Sequence, residues 1–368
     1  MTEASAPRAR ALTKGSLLGR NAVLNIVGGV IPAIAAVIAV PILVRYQGDA
    51  RFGVMALAWT SLGYFSLFDL GLGRAVTHAV ADRLGAGAEH EIGSVTWTSL
   101  AVILPISLVA AAALAFASPL IVRLLSMPPE LREEGVTAFR VLAVAVPFAS
   151  LTGAFRGALE GSQNFGVVNA LRIPLGVLTF LGPLATLPFS RSLVPAMAVL
   201  TAGRGALLVA HYIAVARVIP GFRGGARGVN RTMARSLMHV GGWMQVTHMI
   251  SPLMATLDRF VVGAVLGAGV VTYYVVPQEL VTKLWMFNIA VLPVFFSAVS
   301  TTALRDAERT VALFDKLQRA TLSLLFLPSL VLVALAPDIL NIWLGGDFAA
   351  QSGLTMQLFA VAVFINCL

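Results

Sequence analysis

Long apolar runs, separated by short polar or glycine-containing turns, dominate the pattern of this chain. A run of about 20 apolar residues is long enough, as a helix, to cross the roughly 30 Å hydrocarbon core of a bilayer. The pattern therefore predicts an all-α, polytopic membrane protein with about ten spans. We place them at residues 17–44, 51–71, 93–118, 135–159, 164–187, 191–218, 232–266, 270–302, 311–336 and 351–368.

One polar segment, residues 219–231, is predicted to be a cytoplasmic linker after the sixth span. It is rich in arginine and glycine and has little means of burying itself. Residues 1–218 then form an N-terminal six-helix lobe, and residues 232–368 form a C-terminal lobe of at least four spans. Aligning Gly48 with Gly267 also brings Pro32 to within one residue of Pro252, which favours two lobes in parallel repeat. Because the chain stops inside an apolar run, we expect the second lobe to be incomplete.

Composition and charge support the membrane class. The chain is 58% hydrophobic and only 12% charged, whereas a soluble domain is about 25% charged. A net charge of +9 alone would also suit a nucleic-acid-binding protein. The basic residues, however, are concentrated in the amino-terminal tail and in the loops that follow even-numbered spans. The opposite loops hold only Arg45, Arg51, Arg123, Arg132 and Arg191. By the positive-inside rule this distribution predicts a cytoplasmic N-terminus and no nucleic-acid partner.

No cofactor is predicted from the motifs. The one cysteine, Cys367, excludes an intrachain disulfide framework and a cysteine-rich metal site. The histidines lack the spacing of metal ligands, and no glycine-rich phosphate loop is present. Any pumping is therefore expected to draw on an ion gradient or on the flux of substrate.

Basic residues inside the predicted spans are the candidate binding groups. They are Arg140, Arg172, Arg204, Arg259 and Lys283. A charge in a span costs a few kcal/mol and usually faces a cavity or a partner. Arg140 and Arg172 lie near span ends, where a long side chain can reach the interface. Arg259, Lys283, Arg204 and, more weakly, Arg140 are therefore candidates to bind a phosphate or an acidic sugar in the lumen.

The alternative for these bases is a structural ion pair. Glu279 and Lys283 are four residues apart with the acid first, which favours a pair along one helix. Asp258 and Arg259 are neighbours that point about 100° apart. Asp258, Glu279 and Asp69, at the end of the second span, are candidates either for ion pairing or for coupling to H+ or Na+. Pro252 and Pro277 flank the charged stretch and are hinge candidates.

Several short motifs follow one another in a fixed order along the chain. They are Gly48-Asp49-Ala50-Arg51-Phe52-Gly53, Phe68-Asp69-Leu70-Gly71-Leu72-Gly73-Arg74, Gly157-Ala158-Leu159-Glu160-Gly161-Ser162-Gln163-Asn164-Phe165, Leu257-Asp258-Arg259-Phe260-Val261-Val262-Gly263 and Tyr273-Tyr274. This succession resembles the polysaccharide-transporter family, the Wzx-type flippases, within the MATE-like (MOP) exporter superfamily. The resemblance covers essentially the whole chain.

The resemblance implies a two-lobed MATE-like transporter in the bacterial inner membrane, surrounded by membrane lipids. Such a protein moves an undecaprenyl-diphosphate-linked oligosaccharide from the cytoplasmic to the outer leaflet by alternating access, for surface polysaccharide biosynthesis. Its substrate is thus a polyprenyl-diphosphate-linked oligosaccharide. The resemblance leaves open whether H+ or Na+ drives transport, and whether the protein associates with polysaccharide assembly proteins.

Two other functions are weighed against this one. A cation-coupled small-molecule or multidrug exporter of the same superfamily would use Asp258 and Glu279 as its ion site. The first span has no carboxylate, which some MATE drug exporters carry there, so this alternative is weaker. A membrane-embedded glycosyltransferase or polymerase would need a large loop for its catalytic groups. The longest predicted loops, near 72–92, 119–134 and 219–231, are too small, so we do not expect an enzyme.

Overall fold

The computed structural model describes residues 15–64, 71–219, 221–285 and 307–367. Within these ranges it describes side chains except those of residues 15–28, 63–64, 225–227, 243–255, 307–310, 312–314, 317 and 320. Every regular element in this part of the chain is helical. The α-helices are α1 (Gly15–Gln47), α2 (Asp49–Tyr64), α3 (Leu72–Gly85), α4 (Ile92–Leu124), α5 (Arg132–Ala143), α6 (Ala145–Gly161), α7 (Phe165–Thr186), α8 (Leu193–Val218), α9 (Arg231–Leu266), α10 (Ala268–Thr282), α11 (Ala307–Leu344) and α12 (Gly346–Cys367). Short 3₁₀ helices cover Glu89–Glu91, Pro129–Leu131 and Phe222–Gly228.

Seven stretches of the described residues are long and apolar enough to cross a membrane. They are Gly29–Gln47, Glu89–Leu124, Pro129–Gly161, Phe165–Thr186, Leu193–Val218, Thr321–Leu344 and Gly346–Cys367. The predicted spans at 51–71 and 270–302 include residues outside the described part of the chain, so they stay predictions. The span at 232–266 is helical as predicted, but the side chains of residues 243–255 are not described, so its crossing of the membrane stays a prediction. The protein is a multi-pass helical membrane protein.

One predicted span, 135–159, consists of two helices that meet at Val144. Helix α5 ends at Ala143 and α6 begins at Ala145, with Val144 in a turn between them. Pro147 has no N–H to donate to the carbonyl of Ala143, and its ring would clash with that carbonyl in a continuous helix. The proline therefore accounts for the break, whereas α10 continues through Pro277 without interruption.

The segment 72–92 is not the loop that the sequence predicts, because most of it is helix α3. Residues Leu72, Ala75, Val76 and Val80 are all buried and share one face of this helix. That spacing of i, i+3, i+4 and i+8 is an amphipathic helical pattern. At 14 residues, α3 is too short to span a bilayer. It packs on α6 and α9 instead.

The packing of α3 on α6 depends on glycine. A Cβ atom built on Gly157 would lie 2.1 Å from the carbonyl oxygen of Gly73, and one on Gly161 would lie 2.7 Å from that of Thr77. Two backbones can approach this closely only where side chains are missing. Gly71, with a φ of 73°, forms the turn that begins α3. These glycines belong to the motifs on which the family resemblance was based.

The sequence predicts that the linker 219–231 stays exposed, but part of it is buried in the structure. Phe222 is only 1% exposed, and its ring stacks on that of Trp97 in α4 with centroids 5.4 Å apart. The indole Nε1 of Trp97 donates a hydrogen bond to the carbonyl oxygen of Phe222 at 2.8 Å. A Cβ atom on Gly93 would lie 2.5 Å from the carbonyl oxygen of Gly221. One aromatic side chain and close backbone contact therefore fasten the linker to α4.

Contacts between helices divide the chain into two units, Met1–Gly269 and Val270–Leu368. In the N-terminal unit α1 packs on α7, α8 packs on α5, α6 and α7, and α9 packs on α2, α3 and α4. In the C-terminal unit α11 packs on α12. The ring of Tyr273 contacts that of Phe348, and Tyr274 contacts Phe359, with centroids 5.0 and 5.1 Å apart. The lobe boundary at 219–231 was predicted from the sequence repeat. Contacts between helices do not test that repeat, so the boundary stays a prediction.

The two glycines that align in the sequence, Gly48 and Gly267, each lie between two helices and have a positive φ. Gly48 is the single residue between α1 and α2 and has a φ of 77°. Gly267 is the single residue between α9 and α10 and has a φ of 91°. A positive φ is accessible to glycine at little cost, which explains why a glycine ends each long helix.

Candidate substrate-binding site

Arg259 is the most deeply buried of the basic residues predicted to bind substrate. It lies in α9, seven residues before the helix ends at Leu266, which corresponds to about 10 Å along the axis. The residue is only 7% exposed. Its Nη1 atom donates a hydrogen bond to Oγ1 of Thr60 in α2 at 3.1 Å. Thr60 in turn donates to the carbonyl oxygen of Ala56 at 2.9 Å, so its lone pairs face the guanidinium.

Asp258 has a different local role from that of its neighbour. Its Oδ1 atom accepts a hydrogen bond from the backbone N–H of Arg259 at 2.9 Å. Consecutive helix residues point about 100° apart, so the two side chains leave α9 in different directions. Thr60 was not named from the sequence, because a threonine inside an apolar span is common and carries no charge pattern.

Arg204 lies near the middle of α8, eleven residues after the helix begins at Leu193, or about 16 Å along the axis. It shares a helix face with Leu200, Thr201 and His211, which are all buried, while Arg204 itself is half-buried. Among the described residues, its guanidinium makes no hydrogen bond or ion pair. Arg204 is therefore a cation inside a predicted span, and its binding of substrate stays a prediction.

Lys283 and Glu279 form the pair that their spacing predicts. Nζ of Lys283 lies 3.0 Å from Oε2 of Glu279, and both side chains are about two-fifths exposed. The two residues belong to the C-terminal unit, at the end of α10, whereas Arg204 and Arg259 belong to the N-terminal unit. The pair is consistent with a structural role, and substrate binding by Lys283 stays a prediction.

The other residues singled out from the sequence are two arginines, one acid and two prolines. Arg140 in α5 and Arg172 in α7 are exposed. Asp69 falls outside the described residues, as does the side chain of Pro252. Pro277 is buried within α10, and its role as a hinge stays a prediction. No group of three or more His, Cys, Asp or Glu side chains that could hold a metal ion occurs in the part of the chain that the structure describes.

Glu134 makes a structural contact that the sequence analysis did not single out. Its Oε2 atom lies 3.4 Å from Nη2 of Arg51 at the start of α2. Its Oε1 atom accepts a hydrogen bond from the backbone N–H of Leu193, the first residue of α8. One carboxylate in the first turn of α5 thus joins the beginnings of three helices. The acidic first turn of α5 was visible in the sequence, but its partners come from distant segments.

Comparison with solved structures defines the fold class. The chain matches a multidrug resistance MATE family transporter of the MOP superfamily, solved in an inward-facing conformation, with a TM-score of 0.74 and 14% identity over 92% of this chain and 78% of that one. It matches a MOP superfamily transporter from Pyrococcus furiosus with a TM-score of 0.61 and 15% identity, over 95% of this chain and 84% of that one. The fold is therefore that of the MATE-like transporters.

The family follows from sequence comparison. The model of the family described as "Polysaccharide biosynthesis protein" matches residues 18–299, and the chain belongs to this family. It is also 29% identical, over 355 residues, to the Shigella flexneri protein named "Putative O-antigen transporter", covering 95% of this chain and 82% of that protein. The resemblance drawn from the motifs is confirmed.

Proposed function

We propose that this protein is a flippase that moves undecaprenyl-diphosphate-linked oligosaccharides across the bacterial inner membrane for surface polysaccharide biosynthesis. Transport runs from the cytoplasmic to the outer leaflet by alternating access, and the N-terminus lies in the cytoplasm. Membership of the polysaccharide biosynthesis family and similarity to the Shigella flexneri protein support the substrate class. The protein is accordingly a transporter and not an enzyme.

The observation that carries the proposal is a buried arginine held in a fixed orientation inside a helical membrane protein. A diphosphate that crosses a low-dielectric region needs positive charge near its path, and a guanidinium can hold two phosphate oxygens at once. Thr60 fixes the guanidinium of Arg259 by a hydrogen bond of 3.1 Å. Arg204 and Lys283 add cations within α8 and at the end of α10. Arg140 is exposed, so it is the weakest of the four candidates for a cation in the lumen.

The cation-coupled exporter of the same superfamily is the second candidate. It requires Asp258, Glu279 or Asp69 to release and bind an ion during transport. Glu279 already pairs with Lys283, and Asp258 accepts the N–H of Arg259, so both carboxylates have partners that are close to them in the chain. We therefore assign these two acids to ion pairing and local structure. The driving force is either a proton or sodium gradient or the flux of substrate. Pro252 and Pro277 are the proposed hinges.

Complementation tests the function and its site together. The gene is expressed in cells that lack their own O-antigen flippase, and the polysaccharide attached to lipid A is resolved on a gel. Wild-type protein restores long chains, whereas Arg259→Ala and Lys283→Ala variants do not. Arg172→Ala is the matched control, because Arg172 is also an arginine within a span but is exposed. Membrane levels of each variant are measured by immunoblot.

The outcomes separate the two claims. Failure of the wild-type protein to restore chains with any of several O-antigen types, despite normal insertion, would remove the flippase function. Restoration by both alanine variants would leave the function but remove Arg259 and Lys283 from the site. Accumulation of a fluorescent drug in the same cells distinguishes the flippase from a drug exporter, because an exporter would lower the amount of drug that accumulates.

A further inference from the structure

The arginines around the linker form an exposed array that is attached to a rigid support. Arg217 ends α8, Arg223 lies in the linker, and Arg231 and Arg235 lie in the first turns of α9. All four are exposed. None makes a hydrogen bond or an ion pair with another residue in the described ranges. The sequence from residue 217 to 235 contains no acidic residue that could neutralise them.

Three other arginines of this protein pair with an acidic residue that is close to them in sequence. The pairs are Arg83 with Glu91 at 3.4 Å, Arg156 with Glu160 at 3.7 Å, and Arg319 with Asp315 at 2.7 Å. Exposed arginines elsewhere, such as Arg45, Arg123 and Arg191, also lack such a pair in the part of the chain that the structure describes, but they are scattered along the chain, whereas residues 217–235 hold four exposed arginines in one short segment.

The array is held in place by the packing of the linker. Phe222 is buried against Trp97, and the backbone N–H of Asn230 donates to Oγ1 of Thr98 in α4 at 3.4 Å. In α9, Leu237 is buried in the apolar core and Met233 packs against it, on the opposite face of the helix from Arg231 and Arg235. The backbone that carries the arginines is therefore held in place, so the freedom lost when they bind a ligand is mainly that of their side chains.

The position of Arg231 and Arg235 indicates that the ligand is an anion. A helix N-terminus carries partial positive charge, so two arginines in the first turns of α9 are electrostatically unfavourable without an external negative charge. The array also lies where α8 ends and α9 begins, and because α8 is long and apolar enough to cross a membrane, we place this end at the level of lipid headgroups. Basic residues at this level attract anionic phospholipids, and arginine binds phosphate through two parallel hydrogen bonds.

We propose that Arg217, Arg223, Arg231 and Arg235 form a binding surface for anionic phospholipid headgroups of the cytoplasmic leaflet. The four cations come from three successive elements, the end of α8, the linker and the start of α9, so the surface can hold several singly charged headgroups. The bound lipids link the end of α8 to the start of α9 and stabilise the join. The inference relies on the proposed orientation of the protein but not on its substrate.

The test uses the purified protein in nanodiscs of phosphatidylcholine with or without phosphatidylglycerol. Thermal unfolding and native mass spectrometry measure stabilisation and the number of retained anionic lipids. The variant changes all four arginines to glutamine. The matched control changes Arg45, Arg123, Arg132 and Arg191 to glutamine, which removes the same charge from the opposite ends of the helices. We expect phosphatidylglycerol binding to weaken at least about tenfold in the variant and to stay unchanged in the control.

Two further measurements keep the proposal open to refutation if the glutamine variant fails to insert. The corresponding lysine variant keeps the charge, and we expect it to retain the preference for phosphatidylglycerol with weaker binding, because lysine lacks the bidentate geometry. With wild-type protein, high salt is expected to reduce the stabilisation. Equal lipid preference in the glutamine variant, or stabilisation that is insensitive to salt, overturns the proposal. Binding of undecaprenyl diphosphate without any binding of phosphatidylglycerol would also overturn it, since it would assign the array to the substrate.

Discussion

Nη1 of Arg259 in α9 lies 3.1 Å from Oγ1 of Thr60 in α2, and both residues are buried. A neutral hydroxyl thus orients a charged guanidinium inside a helical membrane protein. The arrangement suits the proposed binding of a diphosphate. It also makes Thr60 a positioning residue whose removal can be tested.

Replacing Thr60 by valine keeps the shape of the side chain but removes the acceptor. Because a buried charged donor then loses a partner, we expect the protein to lose about 1.5–3 kcal/mol of stability. Thermal unfolding in detergent measures the change. Thr60→Ser keeps the hydroxyl and should retain most of the stability. Thr137→Val is the control, since Thr137 is exposed and bonds only to its own helix. An unchanged melting temperature for Thr60→Val would contradict the assigned bond.

The pair of Lys283 and Glu279 allows binding to be separated from structure. Both side chains are about two-fifths exposed, so the pair is worth no more than about 0.5 kcal/mol of stability. We expect Lys283→Ala and Glu279→Ala to have nearly wild-type melting temperatures. Transport, measured by complementation, should fall at least about tenfold for Lys283→Ala and much less for Glu279→Ala. Equal losses of transport would indicate that the pair itself, and not the cation, is what matters.

Residues with a strong physical signature could be placed from the sequence. The spans 164–187, 191–218 and 232–266 agree within two residues with helices α7, α8 and α9, because polar or glycine-containing turns bound these apolar runs. Arg259 and Lys283 were found because a charge within an apolar run is rare. The partner of Arg259 could not be found, since Thr60 is 199 residues away and looks like any other threonine in a span.

The errors came from short segments whose structure depends on packing. Helix α3 was predicted to be a loop, although Leu72, Ala75, Val76 and Val80 carry a helical period that a search for long apolar runs overlooks. The linker was predicted to stay unburied because glycine and arginine dominate it. A single phenylalanine, Phe222, together with glycines that allow close approach, was enough to anchor it.

Phe222 is the residue on which the anchoring of the linker depends. Replacing it by alanine removes a buried ring that contacts Trp97, Phe155 and Tyr212. We expect a loss of about 3–5 kcal/mol of stability, since truncation of a buried phenylalanine leaves a cavity. Chemical or thermal unfolding measures the loss. Phe189→Ala is the matched control, because Phe189 is 89% exposed, and it should have little effect. Similar melting temperatures for both variants would contradict the packing described for the linker.

Close contact between α3 and α6 can be tested at Gly157. A methyl group at this position would lie 2.1 Å from the carbonyl oxygen of Gly73, so the helices must move apart. We expect Gly157→Ala to reduce stability by about 1–3 kcal/mol despite the better helix propensity of alanine. Gly166→Ala, at a helical glycine with nothing within 4 Å, should be neutral or slightly stabilising. A stable Gly157→Ala variant would mean that α3 and α6 are farther apart.

The most direct test of the flippase function is transport by the purified protein. Proteoliposomes are loaded with a fluorescently labelled undecaprenyl-diphosphate oligosaccharide, and a membrane-impermeant reagent quenches only the label in the outer leaflet. We predict that wild-type protein makes the whole labelled pool accessible, that Arg259→Ala slows this at least about tenfold, and that Arg172→Ala does not. A labelled pool that stays half-protected with wild-type protein, as in protein-free liposomes, would contradict the account.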